Sequence, residues 1–360
     1  MAPKELLIGH ALRTRLDSRR EVRFMILLLS ENDIAGILSM ADGIRVVEQA
    51  FRQHADGASV AMPRVSADVP GGGGAFRVMS AILPQAGFFG LKTLTGYPGR
   101  RTPGETYFAM LLFACESGAL RAIVAGNRLT GIRTGAATGV AAKYLSRPDS
   151  RVLGIVGAGT QARYQVSALR EVRALSEVRV FDIDASKAEA FAREIELDFQ
   201  VRARAVGQAR EAVAGCDLVV TVTASKFPVI DGAWLEEGTH LSAVGSNAPA
   251  KREVDPTAFQ RSRVVVDFPD QALQEAGDLI DALDAGVIRA DALDDLGEVV
   301  AGRKPGRQDN RQITLFKSVG MAIEDVATAT FAYRQAMAAG IGTVVQLDAT
   351  GRPAVRELAS

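Results

Sequence analysis

The chain is poor in the residues that build metal centres and disulfide frameworks. Its 360 residues include 2 cysteines and 3 histidines. Cys115 and Cys216 have neither CxxC spacing nor the Cys/His spacing of a zinc ligand set, so the sequence indicates no disulfide framework and no structural zinc site. His10, His54 and His240 are scattered along the chain without metal-ligand spacing. We therefore expect no metal.

The sequence also lacks an excess of charge of one sign and a long hydrophobic run near its start. Its 42 Lys and Arg residues balance 42 Asp and Glu residues, for a formal net charge of +0. Without a chain-wide basic field, nucleic acid and anionic membranes are not expected as partners, although a local patch stays open. The apolar run Met25–Leu29 is too short for a signal-peptide core or a bilayer span, which favours a soluble cytoplasmic protein.

What is present is typical of a globular protein. Hydrophobic residues make up 48% of the chain, charged residues 23%, and the mean hydropathy is +0.09, which excludes a disordered or fibrous protein. A length of 360 residues suits two domains of ordinary size. Residues 1–24 differ, with six basic and three acidic side chains. We expect a disordered extension there, or a true start at Met25, because the acids argue against a transit peptide.

The first half begins with helical patterns and then changes period. Ser30 is a predicted N-cap with acidic residues in the turn that follows it, and a second helix is predicted near 42–53. Residues 60–95 are predicted to form short strands, with the Gly71–Gly74 run at a hairpin tip. Residues 128–146 are predicted to form a helix whose small side chains permit close packing.

The second half alternates strands and helices regularly. Strands are predicted at 151–157, 177–183, 200–206, 217–223, 239–245 and 262–267, and helices at 160–171, 185–196 and 207–215. Such alternation indicates an α/β fold with a doubly wound parallel sheet that helices cover on both faces. The chain closes with a predicted helix at 316–337 and a predicted strand at 343–347.

The sharpest local signal is a glycine-rich turn between a strand and a helix, Gly157-Ala158-Gly159-Thr160-Gln161-Ala162. Gly157 permits the tight turn, Gly159 lets a pyrophosphate approach the backbone, and Ala162 lets helix and strand pack closely. The amides and the dipole of the helix then meet the phosphate charge. The turn predicts a Rossmann sheet that binds a dinucleotide; a doubly wound domain without that ligand is the alternative.

An acidic residue ends the next predicted strand. Asp182 follows Gly157 by 25 residues, close to the interval of about 20 that the dinucleotide fingerprint shows. A carboxylate there can bind both ribose hydroxyls and repels a 2′-phosphate, so NAD(H) is favoured over NADP(H). Asp184 is the alternative for this role.

Cations stand in apolar or small-residue surroundings in the first half. Lys92 lies within Phe88–Leu94, a predicted buried strand, and Arg133 lies in the small-residue helix. A buried ammonium is costly, so Lys92 needs an anionic partner, a neutral state or a ligand. Arg64 and Arg133 suit a bidentate clamp on a carboxylate. From spacing alone, an ion pair or an exposed side chain is the favoured explanation for each of the three.

Several separated motifs occur in a fixed order along the chain. They are Met62-Pro63-Arg64, Gly90-Leu91-Lys92, the segment 129–137 around Arg133, the glycine-rich turn, Ala243–Asn247, and Ile313–Gly320 with Glu324 and Asp325 beyond. On these motifs the chain resembles the ornithine cyclodeaminase/μ-crystallin family, which includes alanine dehydrogenases, ketimine and iminosuccinate reductases and pyrroline-2-carboxylate reductases. The resemblance implies a homodimer. It also implies that a Rossmann domain, residues 135–316, is inserted in an α+β domain for substrate binding and dimerisation, residues 25–134 plus 317–350.

The resemblance assigns roles to individual residues. It implies that Arg64 and Arg133 hold the α-carboxylate of the substrate, and that Lys92 lies over the reacting carbon as hydrogen-bond donor and general acid/base. Thr223-Ala224-Ser225 and Val244-Gly245 would border the nicotinamide. The further cofactor contacts that it implies are Thr134, Gly157, Gly159, Thr160, Gln161, Asp182 and Ser318.

Two departures bear on the chemistry. The cyclodeaminase has an aspartate at the position of Asn247, and an asparagine cannot exchange a proton near neutral pH, although it can hydrogen-bond an imine nitrogen or a carboxylate. The strand at Met79 also places no acid where the cyclodeaminase is thought to hold the distal amine of its substrate. Both departures favour simple hydride delivery over ring closure with ammonia loss.

We therefore predict an NAD(P)H-dependent reductase of a small 2-imino acid, or an amino-acid dehydrogenase if the same reaction runs in reverse. Lys92 and Asn247 are its predicted catalytic residues, and Arg64, Arg133 and Met79 line its predicted substrate site. One alternative is an ornithine cyclodeaminase that forms proline and ammonia with NAD recycled in place. Another is a non-catalytic, crystallin-like protein that binds the cofactor, against which the intact set of cations argues.

Overall fold

The computed structural model describes residues 25–71, 74–96 and 107–346, so the predicted extension at 1–24 lies outside the described residues. The strands are β1 (Met25–Leu29), β2 (Val60–Ala61), β3 (Val65–Val69), β4 (Gly74–Leu83), β5 (Phe88–Gly96), β6 (Phe108–Ala114), β7 (Leu120–Ala125), β8 (Val152–Val156), β9 (Glu177–Phe181), β10 (Arg202–Ala205), β11 (Leu218–Thr221), β12 (His240–Ala243), β13 (Arg263–Val266), β14 (Asp294–Asp295), β15 (Thr314–Lys317) and β16 (Thr343–Gln346). The helices are α1 (Glu31–Ile37), α2 (Met40–Ala55), α3 (Asn127–Leu145), α4 (Thr160–Val172), α5 (Ala185–Glu194), α6 (Ala209–Val213), α7 (Pro256–Arg261), α8 (Pro269–Glu275), α9 (Gly277–Asp284), α10 (Leu296–Val300) and α11 (Ala322–Ala339).

The described chain divides into two compact units. The first unit contains residues 25–39, Ala58–Thr130 and 325–346, and the second contains Met40–Gly57 and Gly131–Glu324. Two of the four crossings between the units fall within helices, since α3 and α11 each contribute residues to both. The structure departs from the predicted division at residues 40–57, which join the second unit rather than the first. The reason is local packing: Gly43 of α2 lies against Ile132 of α3, and Phe51 of α2 against Gly297 of α10.

The sheet of the first unit is mixed. Its order is β16-β1-β7-β6-β5-β4-β2, with β3 also paired to β4. Only the β1–β7 pair is parallel among the described strands of this sheet, and the other pairs are antiparallel. The register places Val69 opposite Gly74, so the β3–β4 connection runs through the predicted glycine-rich tip. Alternate residues of β6 and β7 are fully buried, among them Met110, Leu112 and Val124, which defines the core face.

The sheet of the second unit is parallel throughout its described pairs. Its order is β10-β9-β8-β11-β12-β15-β13-β14, and the order reverses between β8 and β11, as in a Rossmann sheet. Apolar side chains cover both faces. Leu218 and Val220 of β11 join the core beneath α4 and α5, whereas Val219 joins the core on the other face. A strand buried on both sides is what a doubly wound sheet requires, and the predicted fold class is confirmed.

One predicted element is wrong in its boundary. The helix expected at 316–337 begins at Ala322, and Phe316 belongs to β15 instead. This strand lies between β12 and β13 and pairs with both, so Phe316 is opposite Ser242 on one side and Val265 on the other. Pairing with two distant segments overrides the helical propensity of an apolar stretch. No helix in the described part of the chain is long and apolar enough to cross a membrane.

Candidate active site

The predicted cofactor residues of the second unit gather at one edge of its sheet. Gly157 follows β8, Asp182 follows β9, Thr223 follows β11, and Ser318 follows β15. Val244 and Gly245 follow β12 in the same way. Parallel strands bring their carboxyl ends to one edge, and ligands of open α/β sheets bind there, at the point where the strand order reverses. The structure therefore brings these predicted residues together.

The glycine-rich turn has the shape that a pyrophosphate needs. Gly157 has a φ of 107°, and a Cβ there would lie 2.7 Å from the carbonyl oxygen of Val222, so both its backbone angle and its surroundings require glycine. Gly159 is the N-cap of α4 and faces open space, with nothing within 4 Å of an added Cβ. Thr160 and Gln161 open the helix, and Ala162 is 0% exposed against the sheet. The turn fits a dinucleotide, because a side chain at Gly159 would fill the space that a phosphate would enter.

Asp182 is tied to that turn. Its Oδ2 accepts a 2.7 Å hydrogen bond from the backbone N–H of Ala158, and its Oδ1 accepts a 2.9 Å bond from that of Asp184. The Asp184 side chain caps α5 by accepting from the N–H and hydroxyl of Ser186, and the Ser186 hydrogen bond lowers the Asp184 pKa. Asp184 thus serves the helix N-terminus, which leaves Asp182 as the carboxylate beside the glycine-rich turn.

Glu253, which sequence reasoning missed, connects two of the strand ends. Its side chain is 0% exposed. Its Oε1 accepts a 2.5 Å hydrogen bond from the N–H of Thr223, and its Oε2 accepts one of 2.5 Å from the N–H of Gly245. Burial raises the pKa of the Glu253 carboxyl, whereas Lys317 and the two amides oppose that rise. Lys317 itself is buried and pairs with Asp278 at 3.2 Å.

A second buried carboxylate, Asp267, holds the segment after β15. Its Oδ2 accepts from the Ser318 hydroxyl at 3.0 Å and from the amides of Val319 and Gly320 at 2.8 and 2.6 Å. Desolvation raises the pKa of Asp267, and these hydrogen bonds counteract it. The predicted cofactor residue Ser318 is therefore fixed by Asp267, which directly follows β13 and which the sequence motifs did not identify.

Asn247 lies in the loop after β12 with its carboxamide engaged. The Oδ1 atom accepts a 2.9 Å hydrogen bond from Nζ of Lys251, and the Ser246 hydroxyl donates to the Lys251 carbonyl at 2.8 Å. Because an ammonium can only donate, the carboxamide atom next to Lys251 must be the oxygen. This fixes the orientation of the Asn247 amide, whose NH₂ group lies on the other side and acts as a donor. The structure gives Asn247 no means of taking up a proton from a substrate.

Arg133 lies on α3 and is paired within the second unit. Its Nη1 donates to Oε2 of Glu324 at 3.0 Å, and the other Glu324 oxygen accepts from the N–H of Met321 at the same distance. Gly320 is essential to this geometry. Its φ is 82°, and a Cβ there would lie 2.5 Å from Nη1 of Arg133. Thr134 follows Arg133 on the helix and is half-buried.

The helix that carries Arg133 is fixed at both ends. In the first unit, the carboxylate of Glu31 accepts from the N–H groups of Asn127 and Arg128 at 2.7 and 2.9 Å and caps the N-terminus of α3. In the second unit, Arg173 donates to the carbonyls of Ala142, Lys143 and Ser146 at the C-terminus. An anion at the N-terminus and a cation at the C-terminus both complement the helix dipole.

Lys92 lies in the middle of β5, on the core face of the first sheet. It is 1% exposed, and its Nζ donates to Oδ1 of Asp325 at 2.8 Å, with Oδ2 also at 2.8 Å. Met79 and Met110 stand opposite Lys92 on the neighbouring strands, and the Phe108 ring centroid is 5.9 Å from Nζ. The anionic partner that a buried ammonium needs is therefore Asp325, on the last helix.

The remaining predicted residue, Arg64, lies in the connection between β2 and β3 and is half-buried. Lys92, Met79 and Arg64 belong to the first unit, and the other predicted site residues belong to the second. No group of three or more His, Cys, Asp or Glu side chains in the described ranges is arranged to hold a metal ion. The sequence motifs included Glu324 and Asp325 without assigning them a partner, and one signal could have done so: the two acids stand among apolar and small residues at the start of α11, as buried partners of cations do.

Comparison with known proteins identifies the family. The model of the ornithine cyclodeaminase/mu-crystallin family matches residues 25–340. The chain belongs to this family. Within it, the chain is 38% identical over 323 residues to an alanine dehydrogenase of Archaeoglobus fulgidus, which covers 89% of this chain and 98% of the relative.

Solved structures of the family share the fold. A Δ1-pyrroline-2-carboxylate reductase of Thermococcus litoralis, solved in complex with NADH and L-proline, matches with a TM-score of 0.86 and 39% identity, covering 88% of this chain and 99% of the other. An archaeal alanine dehydrogenase dimer with bound NAD matches with a TM-score of 0.84 and 36% identity, covering 90% of this chain and 100% of the other.

Proposed function

We propose that this protein is an NADH-dependent oxidoreductase acting on C–N bonds, which reduces a small 2-imino acid to the 2-amino acid or catalyses the reverse reaction. The observation that carries the proposal is the Lys92–Asp325 pair, an ammonium held by a carboxylate where both are 1% exposed. A buried ammonium held by one carboxylate suits the protonation of a substrate nitrogen. Relatives that reduce pyrroline-2-carboxylate or act on alanine support the same chemistry.

The strand-end loops of the second unit are the proposed dinucleotide site. The turn at Gly157 and Gly159 would hold the pyrophosphate, Asp182 the ribose hydroxyls, and the segments at Thr223 and Gly245 the nicotinamide side. When bound, NADH supplies the hydride that reduces the imine carbon. The carboxylate of Asp182 opposes a 2′-phosphate, so we propose NADH rather than NADPH as the working cofactor.

The substrate half of the mechanism depends on three cations. Arg64 and Arg133 would hold the α-carboxylate, and Glu324 fixes the guanidinium of Arg133 so that little entropy is lost on binding. From a neutral imine, Lys92 donates a proton to the nitrogen as the carbon–nitrogen π pair moves onto that atom, which yields the neutral amine. An iminium already carries this proton, so no proton from Lys92 is needed in that case. Asp325 stabilises the ammonium before transfer as its carboxylate partner, and water replaces the proton that Lys92 gives up.

Asn247 favours reduction over cyclodeamination in this proposal. Its carboxamide oxygen accepts from Lys251 at 2.9 Å, and its NH₂ group can act toward a carboxylate or an imine nitrogen only as a donor. Ring closure with ammonia loss needs a group that takes up and releases protons, and an amide cannot do so near neutral pH.

A homodimer in the cytoplasm completes the proposal. The face of the first sheet opposite Lys92 carries half-buried apolar side chains, among them Leu91, Leu111, Phe113 and Ile123, and Phe89 stacks on Phe113 at 5.1 Å between ring centroids. A contiguous apolar face of this kind suits a self-association surface. The archaeal alanine dehydrogenase relative is described as a dimer. Sedimentation equilibrium of the purified protein tests this assembly.

The function is tested by near-UV absorbance of NADH mixed with the protein. Separate reactions contain 2-oxo acids with ammonia or methylamine, or preformed cyclic 2-imino acids. A steady fall in absorbance with one substrate is the expected result and names the substrate class. No fall with any of them, together with ammonia release from ornithine in the presence of NAD, would instead assign a cyclodeaminase.

A further inference from the structure

Glu253 lies beneath two loops that follow adjacent parallel strands. β11 ends at Thr221 and β12 at Ala243, and the Glu253 carboxylate accepts one backbone N–H from the loop after each. Thr223 donates to Oε1 and Gly245 donates to Oε2, both at 2.5 Å, while the Thr221 hydroxyl donates to Oε2 at 3.0 Å. The carboxylate thus joins the loops through their backbones rather than through their side chains.

The chemistry of this contact requires a carboxylate. An ionised carboxyl has two oxygens that only accept, so it can bind two N–H groups that point toward each other. An amide of the same shape would turn its NH₂ group toward one of those donors. Burial raises the pKa of Glu253, as does the Asp278 charge, whereas Lys317, paired with Asp278 at 3.2 Å, and the two loop amides lower it.

The two loops approach closely at the same place. A Cβ on Gly245 would lie 2.2 Å from the carbonyl oxygen of Thr223 and 2.5 Å from Oε1 of Glu253. The glycine therefore permits the approach, and the carboxylate holds it. The Glu253 hydrogen bonds do not include the glycine-rich turn, which packs against the same loop through Gly157, where a Cβ would lie 3.1 Å from Cγ2 of Thr223. The Asp182 carboxylate makes its hydrogen bonds with Ala158 and Asp184 instead.

We propose that Glu253 is a positioning residue that holds the segments 223–225 and 244–245 together as one surface for the nicotinamide end of the cofactor. The inference rests on the proposed function, because that function is what places a nicotinamide beside these segments. It goes further in one respect: the cofactor is bound by two separable halves of the site. Glu253 serves the nicotinamide half only, and the glycine-rich turn serves the pyrophosphate and ribose.

Calorimetric titration with NADH and with ADP-ribose, which lacks the nicotinamide, tests the inference. In Glu253→Gln we expect the Kd for NADH to rise about tenfold or more, as expected when hydrogen bonds to a charged group are lost. The Kd for ADP-ribose should stay within about twofold. Thr221→Val is the matched control, because it removes a hydrogen bond to the same carboxylate but leaves both loop amides bound. Its two Kd values should stay within about twofold of those of the wild type.

The alternative outcomes are distinct. Equal weakening of both ligands would show a general structural role and would overturn the inference, and so would unchanged binding of both. If Glu253→Gln fails to fold, Glu253→Asp, whose shorter side chain cannot reach both amides, takes its place; failure of both to fold would assign Glu253 to folding and overturn the inference. A wild-type protein that binds neither ligand would contradict the proposed function itself, before any variant is compared.

Discussion

The two units hold their charged groups in different ways. In the second unit, Glu253 and Asp267 are buried carboxylates that accept backbone N–H groups at the ends of parallel strands, and so they fix loops. In the first unit, Lys92 stands in the middle of a nine-residue strand and is held by one side chain, Asp325. The first arrangement fixes loops that we propose bind the cofactor, whereas the second fixes one side chain that we propose as a proton donor.

This difference teaches which changes should affect binding and which should affect chemistry. Loops fixed through their backbones tolerate changes to exposed side chains but not to the carboxylate beneath them. A side-chain pair depends on both of its members, because removal of one leaves the other charged, buried and without compensation. The cofactor half and the proton-donor half should therefore respond separately to substitution.

The largest effect is expected at Lys92. Substitution of Lys92→Met together with Asp325→Asn removes both charges, so no uncompensated charge is left in the core, and it removes the proton donor. We expect kcat/KM for imine reduction to fall by about 10²–10⁴-fold, the usual contribution of general acid catalysis. Steady-state kinetics measures this loss. NADH affinity, measured by calorimetry, should change by no more than about twofold, and a double variant with full turnover would contradict the role of Lys92.

An intermediate effect is expected at Gly320. In Gly320→Ala the new Cβ would lie 2.5 Å from Nη1 of Arg133, which displaces the guanidinium from Glu324. We expect KM for the imino acid to rise by about 10–100-fold, as for a lost charge-assisted hydrogen bond. Gly302→Ala is the matched control: Gly302 also has a positive φ, of 75°, but nothing lies within 4 Å of its Cβ. An equal rise of KM above the wild-type value in both variants would show an effect of backbone strain rather than displacement of Arg133.

A smaller effect is expected on cofactor choice. Asp182→Asn keeps the shape of the side chain and removes the charge that opposes a 2′-phosphate, so the ratio of kcat/KM for NADH to that for NADPH should fall about tenfold. Asp184→Asn makes the same charge change two residues away, where the side chain caps α5, and should leave the ratio within about twofold. If both variants shift the ratio equally, general charge near the site decides cofactor choice.

The smallest effect on activity is expected at His240, which affects stability instead. Burial, with Arg307 and Arg173 nearby, lowers the pKa of His240 to about 3. The Thr314 hydroxyl donates its proton to the carbonyl of Leu145, so its oxygen accepts a hydrogen bond from Nδ1–H of His240. With its pKa this low, the His240 ring is neutral in the folded protein near neutral pH. Between about pH 6.5 and pH 3, His240 is protonated in the unfolded chain but stays neutral in the folded protein. The free energy of unfolding therefore decreases as the pH falls through this range.

Urea denaturation at pH 7 and pH 5 measures this dependence. Between these values the wild type should lose about 2 kcal/mol more unfolding free energy than His240→Asn, which cannot be protonated. Comparison with the variant cancels the contribution of other groups, such as Asp295, whose pKa burial raises to about 6 and which acts in the opposite direction. An equal loss in both proteins would show that His240 is not the group responsible.

Much of the second unit could be predicted from sequence because its signals are local. The turn at Gly157, the helix it opens and the acid at the end of β9 lie within a short stretch, and the structure confirms their order and arrangement. The same locality explains the error at β15: no local pattern shows that Phe316 pairs with two strands formed elsewhere in the chain. The roles of the individual site residues stay predictions.

The contacts that fix the site could not be predicted, because they join residues far apart in sequence. Lys92 and Asp325 are separated by 233 positions, and Glu253 reaches loops that precede it by 30 and 8 positions. Sequence reasoning did indicate that a buried Lys92 needs an anionic partner, a neutral state or a ligand, since desolvation of an ammonium is costly wherever it occurs. Which acid provides it depends on how the last helix packs against β5.

The central claim is that the protein delivers a hydride to the carbon of an imine and does not close a ring with loss of ammonia. Isotope transfer tests this claim most directly. NADH carrying deuterium at the reactive C4 position is incubated with the protein and the cyclic 2-imino acid that it turns over fastest, and the product is examined by mass spectrometry and NMR. The account predicts one deuterium at Cα of the amino acid for each NADH consumed. An unlabelled product, or ammonia formed from a diamino acid with no net loss of NADH, would contradict it.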